Sequence, residues 1–358
     1  MHMVSRNILV LNFGSTTSKI ALFDGGTEIA NKTYTHTRQE LAGLKTMLDQ
    51  LPLRCAALRQ FLDEYHISRD KIDMIVPRYP MVGIDIPGHL LVDDAFMEWA
   101  LNRKDTFHIM FITPIVAREV LGDGIPMAIC DLYSYQEVAP ELEITGIPLI
   151  KRPHLGHIEN CIAVSRKLAS DAAKSPDELS FIYGHLGGGV SFTWFGGGKI
   201  RYAVFDGEAG FSPERSGFLP NLPLIDLCYS GKYSKEQATA WIKGNGGLAA
   251  HFGTTDCLEI EKRMESGDEQ ARLVYTAMGI RMAGCIGEAA AIAKGRVDYI
   301  VLAGGIANSP YITGIIKERV GFIAPVKVYP GEFETEFFAN FGADVLNGTA
   351  KTFNYADI

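Results

Sequence analysis

Apolar and polar positions along this chain follow two periods in turn. From Asn7 the runs ILVLN and IALFD, joined by FGSTTSK, read as strand, turn and strand, and TEIANKTYTH continues as a further strand. The period then lengthens: in LAGLKTMLDQ and CAALRQFLDEYH apolar residues recur three and four apart with charges between, which predicts helices over 41–50 and 55–66. DMIVPRY and PMAICDLYS read as buried strands separated by helices around DDAFMEWALN and PIVAREVL. Strands alternating with helices predict an α/β fold.

Beyond a helix expected over roughly 160–170, the strand SFIYGHL runs into GGGVSF, and the Gly-rich hairpin WFGGGKI leads to RYAVFD. An apolar strand that ends in glycines and hydroxyl residues and resumes as a second strand thus occurs twice, and a duplicated fold is expected. Mostly helical sequence follows up to Gly295, then the strand VDYIVLAGG, a helix through YITGIIKERV, the strand VKVYP and a closing helix from Thr335. Two domains are expected, 1–155 and 156–334, with the closing helix, 335–358, packing back on the first.

A chain of 358 residues exceeds what one core usually serves, which also favours two domains with a ligand cleft between them. Apolar residues at 47% exclude a disordered protein. The net charge of −8, without a long Lys/Arg run, argues against a nucleic-acid partner, so any anionic ligand must be met by local donors. Six scattered cysteines without C-x-x-C spacing predict reduced thiols and a cytoplasmic protein, and no apolar run reaches membrane-spanning length.

Four glycine-rich segments are candidates for chemistry. Asn12–Lys19 offers hydroxyl and backbone donors with the point charge of Lys19, but lacks Walker A spacing and precedes a strand; an ordinary hairpin is the alternative. His185-Leu186-Gly187-Gly188-Gly189-Val190-Ser191 stands at the end of an apolar strand, and three glycines in a row suit close approach of backbone to a polyphosphate, or else a flexible hairpin. Asp206–Gly217 carries Arg215 among three carboxylates, where the guanidinium either neutralises a phosphoryl group or pairs with its acidic neighbours. Val301–Ser309 ends a strand in Gly304-Gly305 and opens a helix, a place where a nucleotide base could lie. Arg78, Asp131, His157 and Asn160 stand as single candidates; Asp131 follows a buried strand and suits metal or proton work, or a helix N-cap. His154 and His157 have no third ligand type nearby, which rejects a zinc site.

Read in order, NFGSTTSK, GHLGGGVSF, GEAGFSPERSGFLP, DLCYSGKYSKE, GNGGLAAHFGTTD, LVYTAMG, GGIANS and FIAPVKVYPGE resemble the acetate and butyrate kinase family over nearly the whole chain, FSPERSG being the most specific. The resemblance implies two ribonuclease-H-like domains of the actin and sugar-kinase class with a nucleotide cleft, and ATP- and Mg²⁺-dependent phosphorylation of a short fatty acid such as butyrate or isobutyrate. It places Asn12, Ser15 and Lys19 in a first phosphate loop, His185 and Gly187, Gly188 and Gly189 in a second. Arg78 and Arg215 would clamp the acceptor carboxylate and the transferring phosphoryl group, Asp131 would hold the attacking carboxylate or a metal-bound water, and His157 would bond phosphoryl oxygens. Asp256 would meet ribose or base, Gly304, Gly305, Ile306 and Asn308 would border the adenine, and Glu334, with Glu332 and Glu336 close by, matches the metal-site carboxylate. The family also implies a homodimer or larger assembly. Where butyrate kinases of the family usually carry Gly-Arg-Gly-Gly, this chain has Pro77-Arg78-Tyr79-Pro80, so a nucleotide-binding protein weakened in catalysis, acting as a sensor or assembly partner, is the competing expectation.

Overall fold

The computed structural model describes residues 6–80, 88–103 and 108–357. The chain forms two compact units, one comprising the chain up to Ser134 together with Glu334 onward, the other Tyr135–Phe333. In chain order the first contains β1 (Asn7–Gly14), β2 (Thr17–Asp24), β3 (Thr27–Thr35), α1 (Arg38–Leu41), α2 (Leu51–Glu64), β4 (Met74–Pro77), β5 (His89–Leu91), α3 (Asp94–Asn102), α4 (Thr113–Leu121) and β6 (Ala128–Ile129). The second contains α5 (Ile158–Ala172), β7 (Ser180–Leu186), β8 (Val190–Gly196), β9 (Lys199–Phe205), α6 (Asn221–Tyr229), α7 (Lys235–Ile242), α8 (Gly247–Phe252), α9 (Cys257–Glu265), α10 (Glu269–Ile292), β10 (Tyr299–Gly304), α11 (Pro310–Val320) and β11 (Val326–Pro330). The chain then returns to the first unit as α12 (Glu334–Leu346) and β12 (Thr352–Asn354).

The expected duplication is present in the sheets. In the first unit the order is β3-β2-β1-β4, antiparallel through the first three and parallel between β1 and β4; a parallel bridge from Ile75 to Met127 extends it. The second unit repeats this as β9-β8-β7-β10-β11, with β7 in the place of β1 and β10 and β11 parallel to it. β1 and β7 are buried along almost their whole length, as a strand covered on both faces must be, and so read as continuous apolar runs. On one face of the first sheet Leu9, Leu11 and Phe13 join Leu58, Phe61, Phe96 and Ile112 in a core. On the other, α12 approaches so closely that a Cβ at Gly342 would lie 2.7 Å from Ile8 Cγ2 and 2.8 Å from Val76 Cγ2.

Four expectations need adjustment. The helix expected over 41–50 is reduced to α1 and a short 3₁₀ turn, because Gly43 adopts φ +88° and Asp49 takes the amides of Lys45 and Thr46, both at 2.8 Å. The strand around Ala128 keeps two residues of regular pairing. The closing helix stops at Leu346: Gly348 turns at φ +71°, and β12 then pairs in parallel with β5. The units divide at Ser134/Tyr135 rather than near 155, since Gln136 bridges Ile200 on β9 and Arg152 reaches Glu208 at 2.7 Å and the Tyr202 hydroxyl at 2.9 Å. No helix among the described residues is long and apolar enough to cross a membrane, and all six cysteines are free.

The turn between β1 and β2 is gripped from behind by Arg54 on α2, which is completely buried. Its Nη1 donates to the Thr17 carbonyl at 2.6 Å and to Ser18 Oγ at 3.1 Å; its Nη2 donates to the Ser15 carbonyl at 2.9 Å and to Gln50 Oε1 at 2.8 Å. All these acceptors are neutral, and burial pulls the guanidinium pKa down to about 10, still high enough to keep the charge at neutral pH. Removing it would take this donor from the half-buried Ser15 and Thr17 carbonyls and from the buried Ser18 hydroxyl. We therefore expect Arg54→Met to lower unfolding stability in urea by about 3 kcal/mol, whereas a loss under about 1 kcal/mol would mean the turn holds its shape unaided.

Candidate active site

Three distant segments of the first unit meet around one guanidinium. Asn12, buried on β1, donates from Nδ2 to Glu334 Oε2 at 2.6 Å, and Arg78 Nη1 lies 3.3 Å from both Asn12 Oδ1 and Glu334 Oε1. Arg78 occupies the position just after β4 and Glu334 opens α12, so one residue is placed by a strand end and the other by a helix start. The Pro-Arg-Tyr-Pro segment leaves this arrangement intact because the Tyr79 ring turns into the core, edge-on to Phe96 at 5.3 Å and to Phe111 at 5.4 Å. Asp131 follows β6, is buried, and accepts the Tyr133 amide at 2.9 Å through Oδ1. Its own amide donates to His89 Nδ1 at 3.1 Å. Burial raises the Asp131 pKa, partly offset by the bonds from Tyr133 and Ser134. Ser15 is exposed at the tip of the first turn, and Lys19 faces Asn12 directly across the β1–β2 pair.

In the second unit three of the glycine-rich segments form one body. The His157 and His185 rings stack at 3.7 Å, His157 Nδ1 lies 2.9 Å from Ser191 Oγ, and His185 Nδ1 lies 3.2 Å from the Tyr183 hydroxyl. The Gly188 carbonyl accepts the Ser212 hydroxyl at 2.5 Å and the Glu214 amide at 3.2 Å, so the FSPERSG segment is docked on the triple-glycine turn. A Cβ at Gly188 would come within 2.9 Å of Glu214 Oε1. Arg215 donates from Nε to Asp206 Oδ1 at 3.0 Å and lies beside Gly189. Gly304, at φ +89°, rests against the backbone of Leu186, leaving no room there for a side chain.

The remaining expected residues lie on the flank of this body. Asp256 caps α9, accepting the Leu258 amide at 2.9 Å. The same helix supplies Glu261, whose Oε1 accepts the Ser309 hydroxyl at 2.5 Å and the Tyr275 hydroxyl at 3.0 Å, tying α9 to the start of α11. Gly305 and Asn308 are exposed on the turn that precedes α11, with Asn308 Nδ2 donating to the Gly305 carbonyl at 3.1 Å, while Ile306 points into the core. Sequence inspection overlooked Arg54, His89 and Glu261, and included Ser191 only as part of the second glycine-rich segment, because each acts by holding another residue. Only Arg54 left a sign: it falls on the apolar stripe Arg54, Leu58, Phe61, where a charge is out of place.

No cluster of three or more His, Cys, Asp or Glu able to hold a metal occurs among the described residues. Mg²⁺ is usually carried by one or two carboxylates together with substrate phosphates and water rather than by a protein cage, and the carboxylate of Glu334 stands at the first-unit site with Oε2 on Asn12 Nδ2 and Oε1 near Arg78 Nη1.

Residues 157–329 match the model of the acetokinase family. The chain is 36% identical to the probable butyrate kinase 2 of Caldanaerobacter subterraneus subsp. tengcongensis over 343 residues, 95% of this chain and 97% of that protein. It is 34% identical to butyrate kinase 2 of Clostridium acetobutylicum, covering 97% and 99% of the two chains. Among solved structures it resembles Porphyromonas gingivalis acetate kinase with a TM-score of 0.79 at 18% identity, covering 95% of this chain and all of that one, a likeness of fold. Near-complete coverage at such identity to two relatives, with the shared fold, makes this chain a member of the acetokinase family.

Proposed function

We propose that the protein is an ATP-dependent carboxylate kinase that converts a short-chain fatty acid, such as butyrate or isobutyrate, into its acyl phosphate with release of ADP, reversibly and by in-line transfer. The relatives' names point to butyrate. What carries the proposal is the convergence of His157, His185, the Gly187–Gly189 turn and Arg215 in one body, although these residues are scattered over sixty positions. Such a surface offers backbone amides, imidazoles and a guanidinium to a polyphosphate.

A carboxylate is already a nucleophile, so the reaction needs no strong base. It needs two anions brought together and charge balanced on the phosphoryl oxygens in flight. In this proposal Arg78, steadied by Asn12 and Glu334, takes the acceptor carboxylate, and Asp131, held by the Tyr133 amide and by its own bond to His89, fixes its approach. Ser191 Oγ, 2.9 Å from His157 Nδ1, steadies the imidazole; in the tautomer with its proton on Nε2 the ring would donate to a phosphoryl oxygen, and Arg215 supplies further donors. Asn12, Ser15 and Lys19 serve the phosphates from the first turn; Asp256 meets the ribose and Gly304–Asn308 the base. Mg²⁺, carried on Glu334 and the nucleotide, supplies charge neutralisation when bound. Six free cysteines support a cytoplasmic location.

An assembly of identical chains is also proposed. No residue of α6 is buried, and Leu222 (75%), Ile225 (50%) and Tyr229 (88%) stay open to solvent beside Phe218 (66%). A helix apolar around its whole girth fits burial in a second copy better than exposure.

Three outcomes follow. In a hydroxamate assay with ATP and Mg²⁺, butyrate or isobutyrate should give acyl phosphate, and chelation with EDTA should abolish it; no product from acetate, propionate, butyrate or isobutyrate would refute the activity. Arg78→Ala and Arg215→Ala should each lower kcat/KM on the order of a hundredfold or more, the usual cost of losing one preorganised donor, and a change within about threefold would remove that arginine from the mechanism. Light scattering should find at least a dimer that Leu222→Glu with Tyr229→Glu dissociates; a wild-type monomer would contradict the assembly.

A further inference from the structure

Asp206 carries no role in what has been described, yet its setting is unusual. It directly follows β9, it is 6% exposed, and its backbone lies in the left-handed region at φ +48°. Few non-glycine residues are held there, and glycine would adopt the same conformation without strain. An acid is therefore present for its side chain. That side chain accepts Arg215 Nε at 3.0 Å through Oδ1, with Lys243 Nζ at 3.9 Å from Oδ2. The Arg215 Nη atoms make no hydrogen bond among the described residues; Nη1 forms a longer ion pair, at 3.7 Å, with the half-exposed Glu214 carboxylate. Gly189 completes the arrangement. A Cβ built there would stand 3.6 Å from Asp206 Oδ1, 3.7 Å from Arg215 Nε and 3.9 Å from Arg215 Nη2, so turn, acid and guanidinium are mutual neighbours.

We infer that Asp206 is the positioning residue for Arg215: its carboxylate holds the Nε edge of the guanidinium beside Gly189 and so leaves the Nη donors for the phosphoryl group. The inference rests on the proposed function in taking Arg215 as a phosphoryl donor. An arginine free to rotate would spend most of its time in unproductive rotamers, and a single anchored edge removes that freedom without consuming the donors at the other edge. A bidentate carboxylate on both edges would do the opposite.

The test is a double-mutant cycle in the full-length protein, with kcat and KM measured separately. Asp206→Ala should lower kcat about 30- to 100-fold, the scale of a misplaced catalytic group, with KM for the fatty acid little changed. Asp206→Asn, which tolerates the left-handed backbone and keeps an acceptor, should recover part of the rate. Asp206→Gly, free of the strain, should lose activity like Ala while melting no lower than wild type. In Arg215→Ala, adding Asp206→Ala should cost less than about threefold, because the acid then has nothing to aim. If Arg215→Ala is crippled but Asp206→Ala stays within about threefold of wild type, or if the two losses multiply, the inference is overturned. Should the wild type make no acyl phosphate, the proposed function fails by itself, and Asp206 is judged on the rise in melting temperature caused by ATP and Mg²⁺. A rise lost in Asp206→Ala upholds the positioning role, and an undiminished rise overturns it.

Discussion

Each arginine of the candidate site meets a carboxylate that the fold brings to it. Glu334 reaches Arg78 from 256 positions away, and Asp206 reaches Arg215 from a backbone conformation that most residues avoid. A long cationic side chain forfeits about 2 kcal/mol of rotamer freedom when fixed, and a facing carboxylate supplies the attraction that fixes it. The tether also lowers the net charge at each arginine. A guanidinium fixed in this way has its direction set before any anion arrives, which is what a preorganised site requires.

The duplicated sheet explains why these groups end where they do. In both units a fully buried first strand carries a tight turn at its end, and the parallel neighbour, β4 or β10, terminates beside it. Arg78 and Gly304 occupy those two strand ends, one carrying a charged side chain and the other none. The same scaffold position thus carries a guanidinium in one unit and close backbone contact in the other. Bonds from behind keep both turns in shape: Arg54 holds the first, Ser212 and the Glu214 amide the second.

Much of this was legible before any coordinates. Continuous apolar runs such as ILVLN and SFIYGHL mark central strands, and Gly187–Gly189 stood out because glycines pack nothing unless something must come close. Local turn chemistry was harder to see: Gly43 and Asp49 break a helical period that reads well on paper, and the turn at Gly348 leaves α12 ending at Leu346, twelve residues early. Supporting contacts were the least visible. Ser191, His89 and Glu261 look like ordinary polar residues of strands and helices, since a hydrogen bond to a residue dozens of positions away leaves no periodicity. Tyr79 shows the reverse, a bulky departure from the family pattern that turned out to point into the core.

The most direct test of the central claim is a crystal structure with a non-hydrolysable ATP analogue and Mg²⁺. The account predicts the terminal phosphate on the Gly187–Gly189 amides, within hydrogen-bond distance of an Arg215 Nη group and of His157 Nε2, with Asp206 still on Nε. A triphosphate bound away from that turn, or an Arg215 swung clear of it toward solvent, would contradict it.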